Sequence, residues 1–333
     1  MNKLDLDYQN LLKDILENGT KKETRNGGTI SVFGRQIRHK MSDGFPLLTT
    51  KKMPFKTITT ELLWFLKGDT NIKYLVDNNC HIWDGDAYKN YERRWETEGK
   101  FLSPPVNKFT KEELINEIKI NPMVAKELGN LGPIYGKQWR DWLNLKWEAT
   151  DKSDPSHPDR PMLKWKLEGI DQIANLINDL KTNPDSRRLM VNAWNVGELE
   201  QMVLPPCHFS FQCYSHEKDG KRYLSLAWNQ RSIDFGLGLP FNIASYGLLL
   251  EIIAKEVGMI PYELIGNLGD CHIYNNHIDG LKEQLTREPY PLPKIYLDYR
   301  EGEYNKDLTD LTPDDFILFD YQSHSPIKLP LSN

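Results

Sequence analysis

Cysteine is scarce in this chain. Its 333 residues include only four cysteines, which are Cys80, Cys207, Cys213 and Cys271. They are too few and too widely spaced for a disulfide framework, and no CxxC pair is present to hold zinc. No apolar run reaches the length of a membrane span, and the first residues lack the apolar stretch of a signal peptide. We therefore expect a protein of the reducing cytoplasm without a metal site.

An excess of one charge sign is also missing. The formal net charge is -5, and basic and acidic residues are mixed along the chain. No general nucleic-acid surface is therefore predicted, and RNA binding is left open without a feature that indicates it. A bound phosphate would have to be met by local arginines.

Periodic apolar residues predict helices and strands along the chain. Helices are expected at residues 4–16, 57–67, 110–119, 170–181 and 243–257, and strands at 29–37, 189–194, 207–214 and 224–228. Residues 150–161 contain three prolines and three aspartates, so an exposed loop is expected there. Long strands interspersed with long helices favour an α+β fold, with a sheet backed by helices.

The clearest pattern begins at Cys207. Apolar residues occupy every second position from 207 to 213 and again from 224 to 228, on either side of an Asp219-Gly220 turn. This pattern predicts a β-hairpin. Because Pro205 and Pro206 precede the cysteine, a rigid turn would present its thiol at the start of a strand, as a nucleophile requires. The Cys-His dipeptide alone favours the alternative of an ordinary core cysteine with an incidental histidine neighbour.

Two short segments carry the groups that bind a phosphate. Arg187-Arg188 follow a Pro-Asp-Ser turn, and Arg231-Ser232 follow the second strand of the hairpin. Guanidinium forks and a hydroxyl match phosphate oxygens, although a single arginine is more often an ordinary surface residue. Arg231 is expected beside the cysteine strand, where a fixed cation would also lower the pKa of the thiol.

Three further residues are candidates for chemistry. Glu61 lies in an apolar helix, where burial would raise the pKa of its carboxyl for proton transfer; a helix-end glutamate that reaches solvent is an equal alternative. Asn242 would open the helix at 243–257, and its amide offers a donor and an acceptor that could read a base edge. A lone histidine such as His272 is more often structural than catalytic. The segment 237–242 has too few glycines for a nucleotide loop.

Taken together, ten segments closely resemble the thymidylate synthase family. In the family's order they are TTKK at 49–52, ELLWFLKGDTNI at 61–72, IWD at 82–84, GPIYGKQWR at 132–140, PDSRR at 184–188, LPPCH at 204–208, QRSID at 230–234, GLPFNIASY at 238–246, GDCHIYNNH at 269–277 and REPYPLP at 287–293. The resemblance covers nearly the whole chain and includes an intact nucleophile block.

The resemblance implies a methyltransferase that converts dUMP to dTMP, with 5,10-methylenetetrahydrofolate as the donor of one carbon and a hydride. The residues implied for catalysis are Cys207, His208, Glu61, Tyr135, Arg231 and Asp234. Those implied for dUMP binding are Arg25, Arg187, Arg188, Arg231, Ser232, Asp234, Asn242, His272 and Tyr274. Those implied for the folate are Lys51, Trp83, Asp234 and Phe241.

The resemblance also implies a single α+β domain over residues 1–333, in which a large mixed sheet packs against helices. Two such chains would form a homodimer joined sheet to sheet, with Arg187 and Arg188 reaching the neighbouring site. Residues at about 98–130 and 142–168 would be surface insertions. The first phosphate loop, which begins at Arg25, is one residue shorter than the usual family pattern.

Two alternatives remain open. One is a relative within the same family that hydroxymethylates dUMP or dCMP without the hydride step. The other is a nucleotide-binding module that lacks catalysis. The presence together of Cys207, Glu61, Tyr135 and Asp234 argues against the module, because a protein that only binds does not need a thiol.

Overall fold

Helices and strands are interspersed in the computed structural model, which describes residues 2–24, 27–97, 107–301 and 304–331. The α-helices are α1 (Lys3–Asn18), α2 (Phe55–Leu66), α3 (Lys73–Asp77), α4 (Asp84–Thr97), α5 (Lys111–Ile120), α6 (Pro122–Leu128), α7 (Tyr135–Arg140), α8 (Gln172–Thr182), α9 (Gly238–Val257) and α10 (Ile278–Leu285). The strands are β1 (Thr20–Thr24), β2 (Gly27–Lys40), β3 (Trp142–Asp154), β4 (His157–Ile170), β5 (Met190–Asn192), β6 (His208–Lys218), β7 (Lys221–Asp234), β8 (Ile260–Tyr274), β9 (Lys294–Leu297), β10 (Arg300–Glu301), β11 (Tyr304–Asn305) and β12 (Phe316–Phe319). Within these ranges no helix is both long and apolar enough to cross a bilayer.

One six-stranded sheet organises the molecule, in the order β1-β2-β8-β7-β6-β5. Strands β7 and β8 run parallel, and the other neighbours are antiparallel. Helix α9 is buried along most of its length against β7 and β8, and α2 packs against α9. The predicted α+β fold, a large mixed sheet packed against helices, is confirmed.

Local sequence signals account for several element ends. The Asn2 side chain caps the first turn of α1, and that helix ends at Gly19. Thr110 and Glu113 form a capping box at the start of α5. Gly258 ends α9 at φ 68°, a left-handed conformation that glycine adopts without strain.

The hairpin that follows Cys207 forms as predicted, but its strand alternation is interrupted. The register shifts between His208 and Ser210, which pair with Gln230 and Asn229, so Phe209 is the extra residue of a β-bulge. Both His208 and Ser210 are buried. The predicted unbroken alternation from residue 207 is therefore wrong at this point, because a bulge exchanges the two faces of a strand.

The expected loop at residues 150–161 is also wrong. These residues form the tip of a hairpin made by β3 and β4, which, among the residues that the structure describes, pair only with each other. Pro158 and Pro161 are accommodated because each strand of a two-stranded ribbon keeps one unpaired edge. The hairpin is nevertheless exposed along most of its length. The other expected insertion, at about 98–130, lies partly outside the described residues; its described part contains α5 and α6.

Candidate active site

Cys207 lies directly before β6, and its backbone joins two elements. Its N–H donates to the Tyr135 hydroxyl oxygen at 2.7 Å, and its carbonyl accepts from the Arg231 N–H at 2.9 Å. The side chain is half-buried and is not in a disulfide. The thiol is therefore positioned between α7, which carries Tyr135, and the end of β7.

His208 supports this arrangement as a neutral group. Its ring stacks on Tyr135 with centroids 4.3 Å apart, and its Nδ1 shares a 2.9 Å hydrogen bond with the Tyr246 hydroxyl. Burial lowers the pKa of His208 to about 3 and raises the pKa of Tyr135 well above its ordinary value. At neutral pH the histidine therefore orients two tyrosines rather than carrying a charge.

Glu61 projects from α2 toward the same cluster. Its carboxylate accepts a 2.8 Å hydrogen bond from the Trp83 indole, and the Trp83 ring contacts Tyr135 edge-on with centroids 6.3 Å apart. Burial raises the pKa of Glu61 to about 7, although the bond from Trp83 partly opposes this shift. A carboxyl with that pKa is suited to proton transfer near neutral pH.

A cavity of about 610 Å³ lies beside the turn that precedes Cys207 and the end of β7. It is lined by four of the residues expected to bind dUMP, which are Arg231, Ser232, His272 and Tyr274. They come together because β7 and β8 run parallel and end at the same edge of the sheet. Lys22 and Asp270 also line the cavity and form a 3.1 Å ion pair.

Arg231 links this cavity to the Pro205-Pro206 turn that precedes Cys207. Its guanidinium donates to the carbonyls of Pro205 and Pro206, both at 2.9 Å. It also lies over the Trp194 ring, 5.1 Å from the centroid. The two carbonyls use part of the guanidinium's donor set, and the remaining N–H groups suit an anion.

The segment from the end of β7 to the start of α9 holds three more of the predicted side chains, those of Asp234, Phe241 and Asn242. The Asp234 carboxylate accepts hydrogen bonds from the backbone N–H groups of Gly236 and Leu237, at 2.9 and 3.2 Å. Asn242 accepts a 3.0 Å hydrogen bond from the Gln230 amide, and Phe241 beside it is half-buried.

Lys51, expected to contact the folate, is buried and its ammonium donates to the Gly236 carbonyl. Burial lowers the pKa of Lys51 to about 8, and nearby Asp234 opposes this shift. The lysine therefore supports the loop between β7 and α9 and does not extend into solvent.

The structure does not bring every predicted residue to this site. Arg187 and Arg188 are exposed in the turn before β5 and do not line the cavity. Arg25 lies outside the described residues.

Sequence patterns also missed Lys22, Asp270, Trp194 and Tyr246, which the structure places around the predicted residues. Lys22, Asp270 and Trp194 line one cavity because the sheet order brings their segments together, whereas Tyr246 reaches His208 from α9. A local motif does not reveal such contacts between distant elements.

The whole chain can be compared with known proteins. A family model described as thymidylate synthase matches residues 6–333. The chain belongs to the thymidylate synthase family. A relative named thymidylate synthase from Malacoplasma penetrans (strain HF-2) is 44% identical over 323 residues, which are 97% of this chain and 98% of that protein. Another, from Mycoplasma mobile, is 43% identical over 322 residues, or 96% and 97%. A third, from Listeria monocytogenes serotype 4a, is 42% identical over 339 residues, or 98% and 99%.

Membership of the thymidylate synthase family confirms the resemblance drawn from the ten segments. The structure shows what these segments share, because LPPCH, QRSID and GLPFNIASY lie at the junction of β6, β7 and α9. The segment that begins at Glu61 and the one that contains Tyr135 approach this junction from α2 and α7.

Proposed function

We propose that the site around Cys207 carries out the reaction of the thymidylate synthase family, the reductive methylation of dUMP to dTMP with 5,10-methylenetetrahydrofolate. The observation that supports this most directly is the double connection of the Cys207 backbone. One hydrogen bond joins it to Tyr135, which lies in one cluster with Trp83 and Glu61. The other joins it to Arg231, which lines the cavity where the phosphate would bind. A nucleophile, a proton-transfer group and a phosphate ligand are thereby held together.

The residues divide the reaction as follows. The Cys207 thiolate adds to C6 of the pyrimidine, which makes C5 a carbon nucleophile. The bound folate supplies the one-carbon unit and then a hydride, and leaves as dihydrofolate. Tyr135 and Glu61 take the proton from C5 through their shared cluster with Trp83. When the hydride completes the methyl group, the C6–S bond breaks, dTMP is released and Cys207 returns to its thiolate form. Arg231 and Ser232 hold the phosphate, and His272 and Tyr274 hold the sugar.

The start of α9 fits the folate next to the base. A Cβ placed on Gly238 would lie 3.5 Å from the Asp234 Cβ and 3.8 Å from the Asn242 Oδ1. The glycine therefore keeps open the space between these two side chains. A pterin held by Asp234 and Phe241 would lie beside a uracil read by Asn242.

We also propose a cytoplasmic homodimer, formed sheet to sheet, in which Arg187 and Arg188 serve the neighbouring phosphate. The exposure of both arginines outside their own cavity supports this arrangement. Tyr214 supports it as well, since it is 64% exposed on the face of β6 opposite the buried residues that pack toward α9. Large aromatic side chains are enriched in interfaces.

The test is a dUMP-dependent assay with methylenetetrahydrofolate, which follows the absorbance rise as dihydrofolate forms. A hydroxymethylase that omits the hydride step and a silent nucleotide-binding module would both give no rise. The Cys207→Ser variant should still bind dUMP but lose turnover, because a hydroxyl is a much weaker nucleophile than a thiolate. A serine variant that kept a tenth of the wild-type rate would contradict the covalent role.

A further inference from the structure

We propose that Trp228 is a positioning residue that determines which pyrimidine Asn242 accepts. The inference rests on the proposed function and names a determinant of its substrate choice. Trp228 lies on β7, two residues before Gln230, and is fully buried. Its role follows from neighbouring groups that can only donate or only accept a hydrogen bond.

The orientation of the Asn242 amide decides the base. Uracil presents an N3–H donor beside an O4 acceptor, and cytosine presents the reverse. An asparagine amide can match either edge, because a half-turn exchanges its oxygen and its NH₂ group. Selectivity for uracil therefore requires neighbours that hold the amide in one orientation.

Trp228 begins a chain of hydrogen bonds that holds the Asn242 amide in one orientation. An indole N–H can only donate, and that of Trp228 donates to the Gln230 Oε1 at 3.1 Å. The Gln230 NH₂ group is thereby turned away, and it donates to the Asn242 Oδ1 at 3.0 Å. It also donates to the Ser232 carbonyl at 3.1 Å, and that oxygen can only accept. The Gln230 amide is therefore held at both ends. Its oxygen meets a group that can only donate, and its NH₂ group meets one that can only accept.

This direction suits uracil and opposes cytosine. With its oxygen toward Gln230, Asn242 presents its NH₂ group to O4, and a second lone pair on Oδ1 accepts the N3–H. For cytosine the Asn242 amide would have to turn over, and its NH₂ group would then face the NH₂ group of Gln230. If it did not turn, the polar edge of cytosine would remain unpaired in a buried site.

The indole itself is held rigidly. Its ring stacks on Tyr246 with centroids 5.3 Å apart and an interplanar angle of 6°. On the neighbouring strand, a Cβ at Gly266 would come within 2.4 Å of the indole Cη2 and Cζ2, so the ring occupies the space that this glycine leaves. Tyr246 is also bonded to His208, and the base-reading chain therefore shares a support with the nucleophile strand.

The test is the Trp228→Phe variant, which keeps a stacked ring and removes the indole N–H. We expect its ratio of kcat/KM for dUMP over dCMP to fall roughly tenfold, since one of the two groups that orient Gln230 is lost. Trp64→Phe is the matched control. Trp64 is also fully buried and its indole donates to the Asn71 carbonyl at 3.0 Å, remote from the amide chain. It should lose stability to a similar extent with an unchanged ratio.

A ratio in Trp228→Phe within twofold of the wild-type value would overturn the proposal, and so would an equal fall in Trp64→Phe. If Trp228→Phe does not fold, Gly266→Ala tests the same hydrogen bond. The added methyl displaces the indole, so its N–H is still present but moves away from the Gln230 oxygen. Here too a lower ratio supports the proposal and an unchanged one overturns it. Turnover of dUMP by the wild type tests the proposed function separately, so the two failures are distinguishable.

Discussion

Glu61 and Glu251 are two buried carboxyls with different surroundings. Burial raises the pKa of each to about 7, but only Glu61 contacts the Trp83 and Tyr135 cluster, whereas Glu251 lies within α9. The folded protein holds each proton more tightly than the unfolded chain does. Each carboxyl therefore reduces the free energy of unfolding as the pH rises from about 4.5, its ordinary value, to about 7.

This pair gives a controlled prediction. Both Glu61→Gln and Glu251→Gln should gain stability relative to the wild type above pH 7, because neither amide has to ionise in a buried site. Only Glu61→Gln should lose turnover, by about 10²-fold or more, since only Glu61 is placed for proton transfer. Denaturant unfolding at pH 5 and pH 8, together with kcat, measures both effects. Comparable loss of kcat in the two variants would contradict a specific role for Glu61.

Asn242→Asp tests the base-reading amide directly. A carboxylate at 242 would accept from the 4-amino group of cytosine and could still receive the donor of Gln230. We expect the preference for dUMP over dCMP to narrow or invert, measured as kcat/KM for both nucleotides in both proteins. A wild type that processes dCMP as well as dUMP, or an unchanged ratio in the variant, would refute this role of Asn242.

Single residues could be predicted where their local sequence indicates the environment. Apolar neighbours along α2 were enough to expect a raised pKa for Glu61, and a position before a long helix was enough to nominate Asn242. Trp228 fits the apolar alternation of β7, and that pattern by itself indicates only a core residue. Its indole bond depends on how the side chains of Gln230 and Asn242 meet in the folded chain, which periodicity does not specify.

At the scale of elements, the β3–β4 hairpin is mostly exposed and forms a separate two-stranded sheet. One face is apolar and exposed, with Trp147 and Trp165 stacked at 3.7 Å and each more than half exposed. The other face carries ion pairs such as Lys146 with Glu168. Its strands pair only with each other within the described residues.

Shortening this hairpin should therefore leave the chemistry intact. Leu145 and Leu167 are register partners, so Asn-Gly in place of residues 146–166 would close a two-residue turn between them. We expect kcat/KM for dUMP to stay near the wild-type value and stability to change by only about 0.5 kcal/mol. A tenfold loss of kcat/KM would show that the hairpin contributes to the site.

Sequence patterns located most elements but not their irregularities. The helix predicted at residues 170–181 forms as Gln172–Thr182, because its apolar face repeats at helical spacing. The helix predicted at residues 110–119 is followed directly by a second helix, since Asn121 ends α5 and its side chain caps α6. A bulge at Phe209 leaves no mark in a hydrophobic pattern, because it depends on the pairing of two strands.

At the scale of the whole molecule, the proposed exchange of arginines between subunits makes a prediction about mixed dimers. Cys207→Ser and Arg187→Ala chains, each inactive alone, should regain activity when mixed. One site of the mixed dimer then has both residues intact, so roughly a quarter of all sites should work. The assay is dihydrofolate formation after confirmed subunit exchange.

The control is a mixture of Cys207→Ser with Glu61→Gln. Cys207 and Glu61 belong to one cluster within the same chain, so no site of that mixed dimer is intact and activity should not return. No recovery in the Arg187→Ala mixture would place this arginine in its own subunit's site or outside both sites.

The architecture as a whole was predictable as a class but not as a topology. Alternating helical and strand periods indicate a sheet backed by helices. They do not show that β7 and β8 run parallel, and that pairing brings Ser232 and His272 to one cavity. The ten resembling segments supplied this information indirectly, because a family's fold accompanies its motifs.

Arg231 has a consequence for how substrate affinity is used. The guanidinium that would hold the phosphate is already bonded to Pro205 and Pro206, directly before the nucleophile. The attraction between Arg231 and the phosphate, a group that does not react, would thereby act on the turn that positions the Cys207 thiol. Interactions with such remote parts of a substrate can raise kcat by favouring the reactive geometry. A nucleoside without its phosphate would then lose more than binding affinity. The Pro205-Pro206 turn would also have one fewer constraint while the Cys207 thiolate adds to the base.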